Sequence, residues 1–261
     1  MHKFRIALAS LLLSSTIALT AAETNKWDAS LAAGATLTKG NSDTFLGNLT
    51  FKATRKYSPY DEVLLGASGT YGTTKEEQTD VFKNTAGDVV FERTHDVTDT
   101  TTANASASGQ YNHLFTERLY AGVRLDLLHD AIADVKYRVT LSPLVGYYLI
   151  KQTNTFLAVE AGPSLITEKV GNESDTYAAL RLAERFEHKF SNKARVWQSI
   201  EILPQIDRFE NYIVNAEVGA EASLTENFSL RGVIQDTYDN EPAEGRKKND
   251  LKLITSLVYK F

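Results

Sequence analysis

The chain has no cysteine. That removes thiolate zinc sites, iron–sulfur clusters, a thiol nucleophile and a lipoprotein anchor. It has no excess of basic charge either. Lys and Arg number 28 against 33 Asp and Glu, for a net of −5, which argues against nucleic acid as a partner. Beyond the first two dozen residues no uninterrupted apolar run reaches helix-spanning length, so a helical membrane protein is excluded. What is present is 261 residues with 43% apolar and 23% charged side chains. Collagen, a disulfide mini-protein and a disordered chain do not have that composition, and the length suffices to bury a sizeable core.

Residues 1–22 read MHKFRIALASLLLSSTIALTAA. Lys3 and Arg5 make a positive n-region, Ile6 to Leu19 an apolar h-region, and Thr20 and Ala22 a small-residue site before Glu23. This is the pattern of a cleaved secretory signal, with an h-region short for a membrane helix. The expected domains are therefore a signal peptide, 1–22, and one unit over 23–261. The mature chain would carry 26 basic and 33 acidic residues, a net of −7.

From Lys26 onward the apolar residues repeat every second position. Trp27, Ala29, Leu31, Ala33, Ala35 and Leu37 open the series. Val63, Leu65, Ala67 and Tyr71 continue it, as do Leu119 to Leu127, Val135 to Tyr147, Tyr212 to Leu224 and Leu251 to Phe261. Period two is the mark of strands with one apolar face. About twelve such segments of roughly 10–15 residues follow one another, longer than ordinary globular strands. The connections alternate in kind. Segments 58–61, 113–118, 150–155, 191–194 and 224–227 are short. Segments 40–43, 72–97, 129–134, 168–175, 206–211 and 239–249 include the longest and most charged. Short turns on one rim and longer loops on the other describe an all-β, transmembrane antiparallel up-and-down barrel, with both termini at the short-turn rim.

The polar face separates a barrel from a soluble sandwich. Opposite the apolar stripes lie Lys52, Glu62, Arg124, Asp126, Lys136, Arg138, Glu160, Arg181, Arg185, Glu187, Arg195, Glu201, Glu217, Glu221, Arg231 and Lys252. A barrel accommodates both faces, apolar toward lipid and polar toward a lumen. Aromatics near strand ends, such as Tyr57, Tyr71, Tyr111, Tyr147, Tyr212, Phe228, Tyr259 and Phe261, suit interfacial girdles. Glu184 breaks the pattern: strict alternation carries it outward in mid-strand, at a cost on the order of 2 kcal/mol. A bulge or a short helix there would relieve it. The lumen set holds nine basic and seven acidic residues. Two readings stand side by side, a lumen cross-linked by ion pairs and a narrow water path lined by both signs.

Three stretches carry a family resemblance. They are Gly34 to Thr44 with its Gly-Asn-Ser-Asp-Thr run, Trp197-Gln198-Ser199-Ile200-Glu201 followed by Leu203-Pro204, and Tyr238 to Pro242 continuing through Lys248-Asn249-Asp250 to Ser256-Leu-Val-Tyr-Lys-Phe261. Together they resemble the YdiY-like family of Gram-negative outer-membrane proteins, often labelled salt-induced outer membrane proteins and built on a domain of unknown function. The resemblance covers most of the mature chain, leaves 72–97 unmatched, and implies an outer-membrane barrel with no defined biochemical role. Locally, Gly40 to Asp43 is also plain turn chemistry. The end of the chain, Leu257, Tyr259 and Phe261, resembles the C-terminal strand signal read by the outer-membrane assembly machinery. Arg246, Lys247 and Lys248 form a basic loop that solvent or lipopolysaccharide phosphates would satisfy.

Catalytic motifs are missing. His95, His113, His129 and His188 form no HExxH pair. His188 with Ser191 is the one candidate pair for lipid-modifying chemistry, and no base is assembled around it. Gly66, Gly69 and Gly72 lie in a strand rather than in a phosphate loop. The acidic stretch 75–96 has no calcium-loop spacing. The expectation is a non-enzyme without cofactor or metal. Three functions follow, in order: a porin-like narrow channel or envelope component tied to osmotic or salt conditions; a closed barrel whose loops bind a partner or lipopolysaccharide; a lipid-modifying enzyme. The residues expected to line the lumen are Arg124, Asp126, Lys136, Arg138, Glu160, Arg181, Arg185, Glu201, Glu217, Glu221, Arg231 and Lys252.

Overall fold

A computed structural model describes residues 26–38 and 42–261. The signal segment 1–22 and residues 40 and 41 of the Gly40 to Asp43 turn lie outside the described residues. The rest folds into twelve strands: β1 (Trp27–Thr38), β2 (Ser42–Lys56), β3 (Asp61–Lys83), β4 (Val89–Leu114), β5 (Leu119–Asp130), β6 (Val135–Lys151), β7 (Thr155–Val170), β8 (Glu173–Ser191), β9 (Ala194–Pro204), β10 (Tyr212–Ser223), β11 (Phe228–Asp239) and β12 (Asn249–Lys260). Each pairs antiparallel with its neighbours in sequence, and β1 pairs with β12 to close the barrel. Closure joins the two strands that would otherwise be sheet edges, as a lipid-embedded sheet requires.

Side-chain parity sorts the wall. Leu31, Leu49, Leu65, Val123, Leu125, Leu141, Val145, Leu165, Leu182, Val218, Ile234 and Leu257 are exposed on the outside. Their even- or odd-numbered neighbours, among them Glu62, Ser68, Arg124, Glu160, Arg181, Glu217 and Arg231, are buried inside. Period two therefore yields an inverted protein, apolar without and polar within.

Three of the five turns at the rim that carries Trp27 and Phe261 share one construction. In 57–60, 115–118 and 224–227 the first residue donates its N–H to the carbonyl four positions on (Tyr57 to Asp61, 2.9 Å; Phe115 to Leu119, 2.9 Å; Leu224 to Phe228, 2.8 Å). The next residue, Ser58, Thr116 or Thr225, accepts the N–H of Asp61, Leu119 or Phe228 on its hydroxyl (3.0, 2.9 and 3.0 Å). Hydroxyl capping of this kind is why Ser and Thr recur at loop starts.

The opposite rim differs from the expected loops. Segment 72–97 is not a loop. β3 and β4 continue as a paired ribbon to Lys83 and Val89, across a register shift at Gly72/Thr73, and only 84–88 turns. Pairing of β3 with β4 satisfies backbone groups that a loop would leave to water. Segment 168–175 likewise reduces to a turn at 171–172 between β7 and β8. β2 leaves β3 at Glu76 and β5 leaves β4 at Asn104, so beyond those points the ribbon stands alone. Seven residues of β3, Glu77 to Lys83, then project roughly 23 Å at about 3.3 Å each.

Glu184 stays outward. Neither a bulge nor a helix intervenes, since β8 keeps unbroken register with β7 around it and pairs Glu184 with Ile200 of β9. Gln198 Nε2 donates to Glu184 Oε2 at 3.1 Å on the same outer face. The wall thus tolerates the carboxylate through a neighbouring amide rather than by turning it in. Asp236, near the far end of β11, is a second acid whose parity points outward.

Candidate functional site

The lumen is the site with chemistry, and it is built in layers. Near the terminal rim, Tyr120, Leu144, Tyr148, Phe156 and Ala158 form a buried apolar cluster packed by Leu114. The rings of Tyr120 and Tyr148 lie 5.1 Å apart. Tyr120 sits directly opposite Gly146 in the ladder, where a Cβ would lie 2.1 Å from its ring. Trp197 covers Gly219 in the same way, also at 2.1 Å. Glycine at these two places lets a large ring lie flat against the wall and fill the lumen.

Beside this cluster Glu221 gathers three cations: Arg195 at 2.9 Å, Arg231 at 2.8 Å and Lys260 at 2.8 Å. Arg195 also reaches Glu187 at 3.3 Å. The middle layer centres on Glu160. Its Oε2 accepts from Arg181 at 2.8 Å. Its Oε1 accepts from Arg185 at 2.7 Å, Tyr120 at 2.8 Å and Gln110 at 3.1 Å. Arg181 continues to Glu201 at 2.5 Å, and Arg124 holds Asp126 at 2.6 Å. Trp197 and Gln235 donate to the two oxygens of Glu217, at 2.6 and 2.7 Å. Lys52, Glu217, Arg231 and Trp197 border a cavity of about 30 Å³, room for one or two waters.

Toward the far rim Arg138 of β6 pairs with Glu168 of β7 and, at 3.0 Å, with Asp239 of β11. β6 and β11 are five strands apart around a ring of twelve, so this guanidinium bridges the lumen. Tyr177 adds its hydroxyl to Glu168 at 3.2 Å. Lys252 of β12 is also buried on the inner face, its Nζ without a hydrogen bond among the described residues.

Eleven of the twelve charged positions expected in the lumen face inward. Arg124, Glu160, Arg181, Arg185, Glu201, Glu217, Glu221, Arg231 and Lys252 are buried, while Arg138 and Asp126 are partly so. Lys136 is the exception. A register irregularity between Val135 and Tyr137 places it at the far rim, exposed, with its Nζ 3.4 Å from Asn172. His188 and Ser191 are not brought together. The His188 ring bonds Thr155 Oγ1 at 2.8 Å, and Ser191 Oγ accepts the Lys193 N–H at 3.1 Å. The inward-facing aromatics Tyr120, Tyr148 and Trp197 were not anticipated. Their signal was parity: Tyr120 shares the inward phase of Arg124, and Trp197 that of Glu201. Among the described residues no group of His, Asp and Glu has metal-site geometry.

A closed, antiparallel, lipid-outward ring of twelve strands defines an up-and-down β-barrel of the outer-membrane type. Residues 31–261 match the family model described as "Protein of unknown function, DUF481", and the chain belongs to that family. No curated protein matches the chain. Among solved structures, an outer membrane channel from Pseudomonas putida F1 is similar at 12% identity, covering 92% of this chain and 97% of that one, with a TM-score of 0.50. That likeness is one of fold. A NanC porin structure aligns at 7% identity over 89% of this chain and 96% of its own, with a TM-score of 0.45.

Proposed function

We propose that this chain is an outer-membrane barrel whose lumen is closed and which acts through its far rim. The observation that carries this reading is the Arg138–Asp239 bridge across the lumen, backed by the Glu160 and Glu221 hubs below it. A conducting pore needs a continuous water path. Here Arg138, Arg181, Arg185, Arg195 and Arg231 are each paired with a carboxylate, and the rings of Tyr120, Tyr148 and Trp197 are buried on the inner face. Of the two sequence readings, the ion-paired lumen is the one these contacts favour over a narrow channel.

Short turns and an even strand count support a terminal rim in the periplasm, with the β3–β4 ribbon outside. Residues 1–22 would direct export and be removed. Leu257, Tyr259 and Phe261 lie exposed on the lipid side of the closing strand, where an assembly factor would read them. Arg246, Lys247 and Lys248 are exposed in the 240–248 connection, open to lipopolysaccharide phosphates. The YdiY-like likeness fits this reading; salt induction would concern expression rather than mechanism.

The test is planar-bilayer recording of refolded mature protein, after a gel shift between boiled and unboiled samples establishes closure. The expected result is silence at moderate voltage. Stable, ion-selective steps from the heat-modifiable form would overturn the closed lumen and restore the channel.

A further inference from the structure

The wall around Glu184 carries an inference that does not depend on whether the lumen conducts. Glu184 is seven residues above the Ser191 end of β8. At about 3.3 Å per residue and a tilt of about 40°, that is roughly 18 Å along the membrane normal, within an apolar band about 25 Å tall. A carboxylate at that depth is held only where hydrogen-bond donors meet it. This chain supplies one, Gln198 Nε2 at 3.1 Å. Around the pair the outer wall is concave, a groove of about 510 Å³ lined by Val145, Tyr147, Val159, Leu182, Ile200 and Ile202. Lipid acyl chains would fill such a groove, yet they bring no donor.

We propose that this groove is the interface between two copies of the chain, related by a two-fold axis, with Gln198 of each copy donating to Glu184 of the other. An acceptor and a donor side by side on an apolar face form a self-complementary pair: rotation by 180° sets each opposite its complement. The Gln198 amide has two N–H groups and Glu184 has two oxygens, so both the printed bond and its symmetric counterpart can form at once. Val145, Leu182, Ile200 and Ile202, exposed in one copy, would pack against their equivalents. Other candidate surfaces lack this complementarity. The β3–β4 ribbon and its turn carry more acid (Glu76, Glu77, Asp80, Asp88, Glu92, Asp96, Asp99) than base (Lys75, Lys83, Arg93), so two copies would repel there.

The absence of cysteine makes the test clean. Ile200→Cys, directly opposite Glu184 in the ladder, should give a disulfide-linked dimer on a non-reducing gel when oxidised in native membranes. Leu49→Cys, on β2 across the barrel, should not. Adding Glu184→Leu with Gln198→Leu to the Ile200→Cys chain should lower the cross-linked fraction at least tenfold while leaving heat modifiability intact. Glu184→Gln, still an acceptor, should keep most of it. A folded Ile200→Cys barrel that stays monomeric would mean the groove holds lipid, and would overturn the proposal. Cross-linking that survives loss of both polar groups would overturn the role given to the pair. Loss of heat modifiability in wild-type protein would instead fault the barrel reading itself.

Discussion

Glu160 accepts from four side chains on three strands, and two of those are guanidinium groups buried in the lumen. Glu160→Ala should destabilise the barrel by about 3 kcal/mol, because it leaves Arg181 and Arg185 desolvated with less counter-charge. Urea titration in lipid vesicles would measure it. Gly219→Ala should cost about 1–3 kcal/mol by the same assay, since its Cβ would meet the Trp197 ring at 2.1 Å. A third residue acts at the terminal rim, where β3 meets the 57–60 turn. Asp61 accepts from Ser58 Oγ at 2.6 Å and Tyr111 OH at 2.7 Å and touches His113 Nδ1 at 2.8 Å. The Ser58 hydrogen bond first, then those of His113 and Tyr111, hold its carboxyl down at about 2. A depressed acid stabilises the fold above its unfolded value of about 3.9, and that contribution fades as pH falls toward the folded value. Wild type should therefore outlast Asp61→Asn in denaturant at pH 7, and the gap should close by pH 2.

Among the elements, the β1–β12 seam and the β3–β4 ribbon set the weak and the external parts. β1 pairs with β2 along its full length, but with β12 only from Ser30↔Lys260 to Ala33↔Leu257. The outer half of the seam is thus joined by fewer ladder bonds, with Leu251 and Leu253 highly exposed beside it. Amide exchange in β12 should be faster over 250–255 than over 257–260, and equal protection would contradict the short register. The ribbon ends in exposed Val81, Phe82, Val89, Val90 and Phe91, with Phe82 and Phe91 rings 5.9 Å apart. Lys75 and Asp96 pair across its base at 2.6 Å, and that hydrogen bond raises the Lys75 pKa. Exposed surface pairs of this kind contribute little to stability, so the ribbon's persistence rests on its ladder.

At the scale of the molecule, wall and ribbon are separable. The ladder pairs of β3 with β2 and of β4 with β5 end at Glu76 and Asn104. Replacing residues 77–96 by a two-residue Asn-Gly turn should leave the gel shift between folded and boiled protein unchanged. Loss of the shift would mean that the ribbon helps to close the barrel. The interior is also organised at this scale. Arg138 to Asp239 joins residues 101 apart in the chain, and Arg185 to Tyr120 joins residues 65 apart. No local pattern specifies such pairs.

Twelve strands, their lipid-facing stripes and the inward direction of Arg124, Glu160, Arg181 and Glu217 were legible because period two is a local property: each residue's face follows from its neighbour's. The same logic placed Glu184 outward, and register with β7 and β9 kept it there. Local reading failed where two strands had to agree. Whether 72–97 looped or paired depended on β3 meeting β4 residue by residue, and Lys136 left the lumen because β6 slips against β7 at Val135. Tyr120 and Trp197 point inward while girdle aromatics such as Tyr147 and Tyr259 point outward, because parity and not residue type decides the face. Sequence alone thus determined the class of the molecule, an inverted β-barrel, since backbone satisfaction in lipid and alternating polarity permit little else. Only the closed ring decided which inward groups meet, Arg138 with Asp239 and Arg185 with Tyr120, because such pairs form between strands whose separation in sequence carries no information about their separation in space.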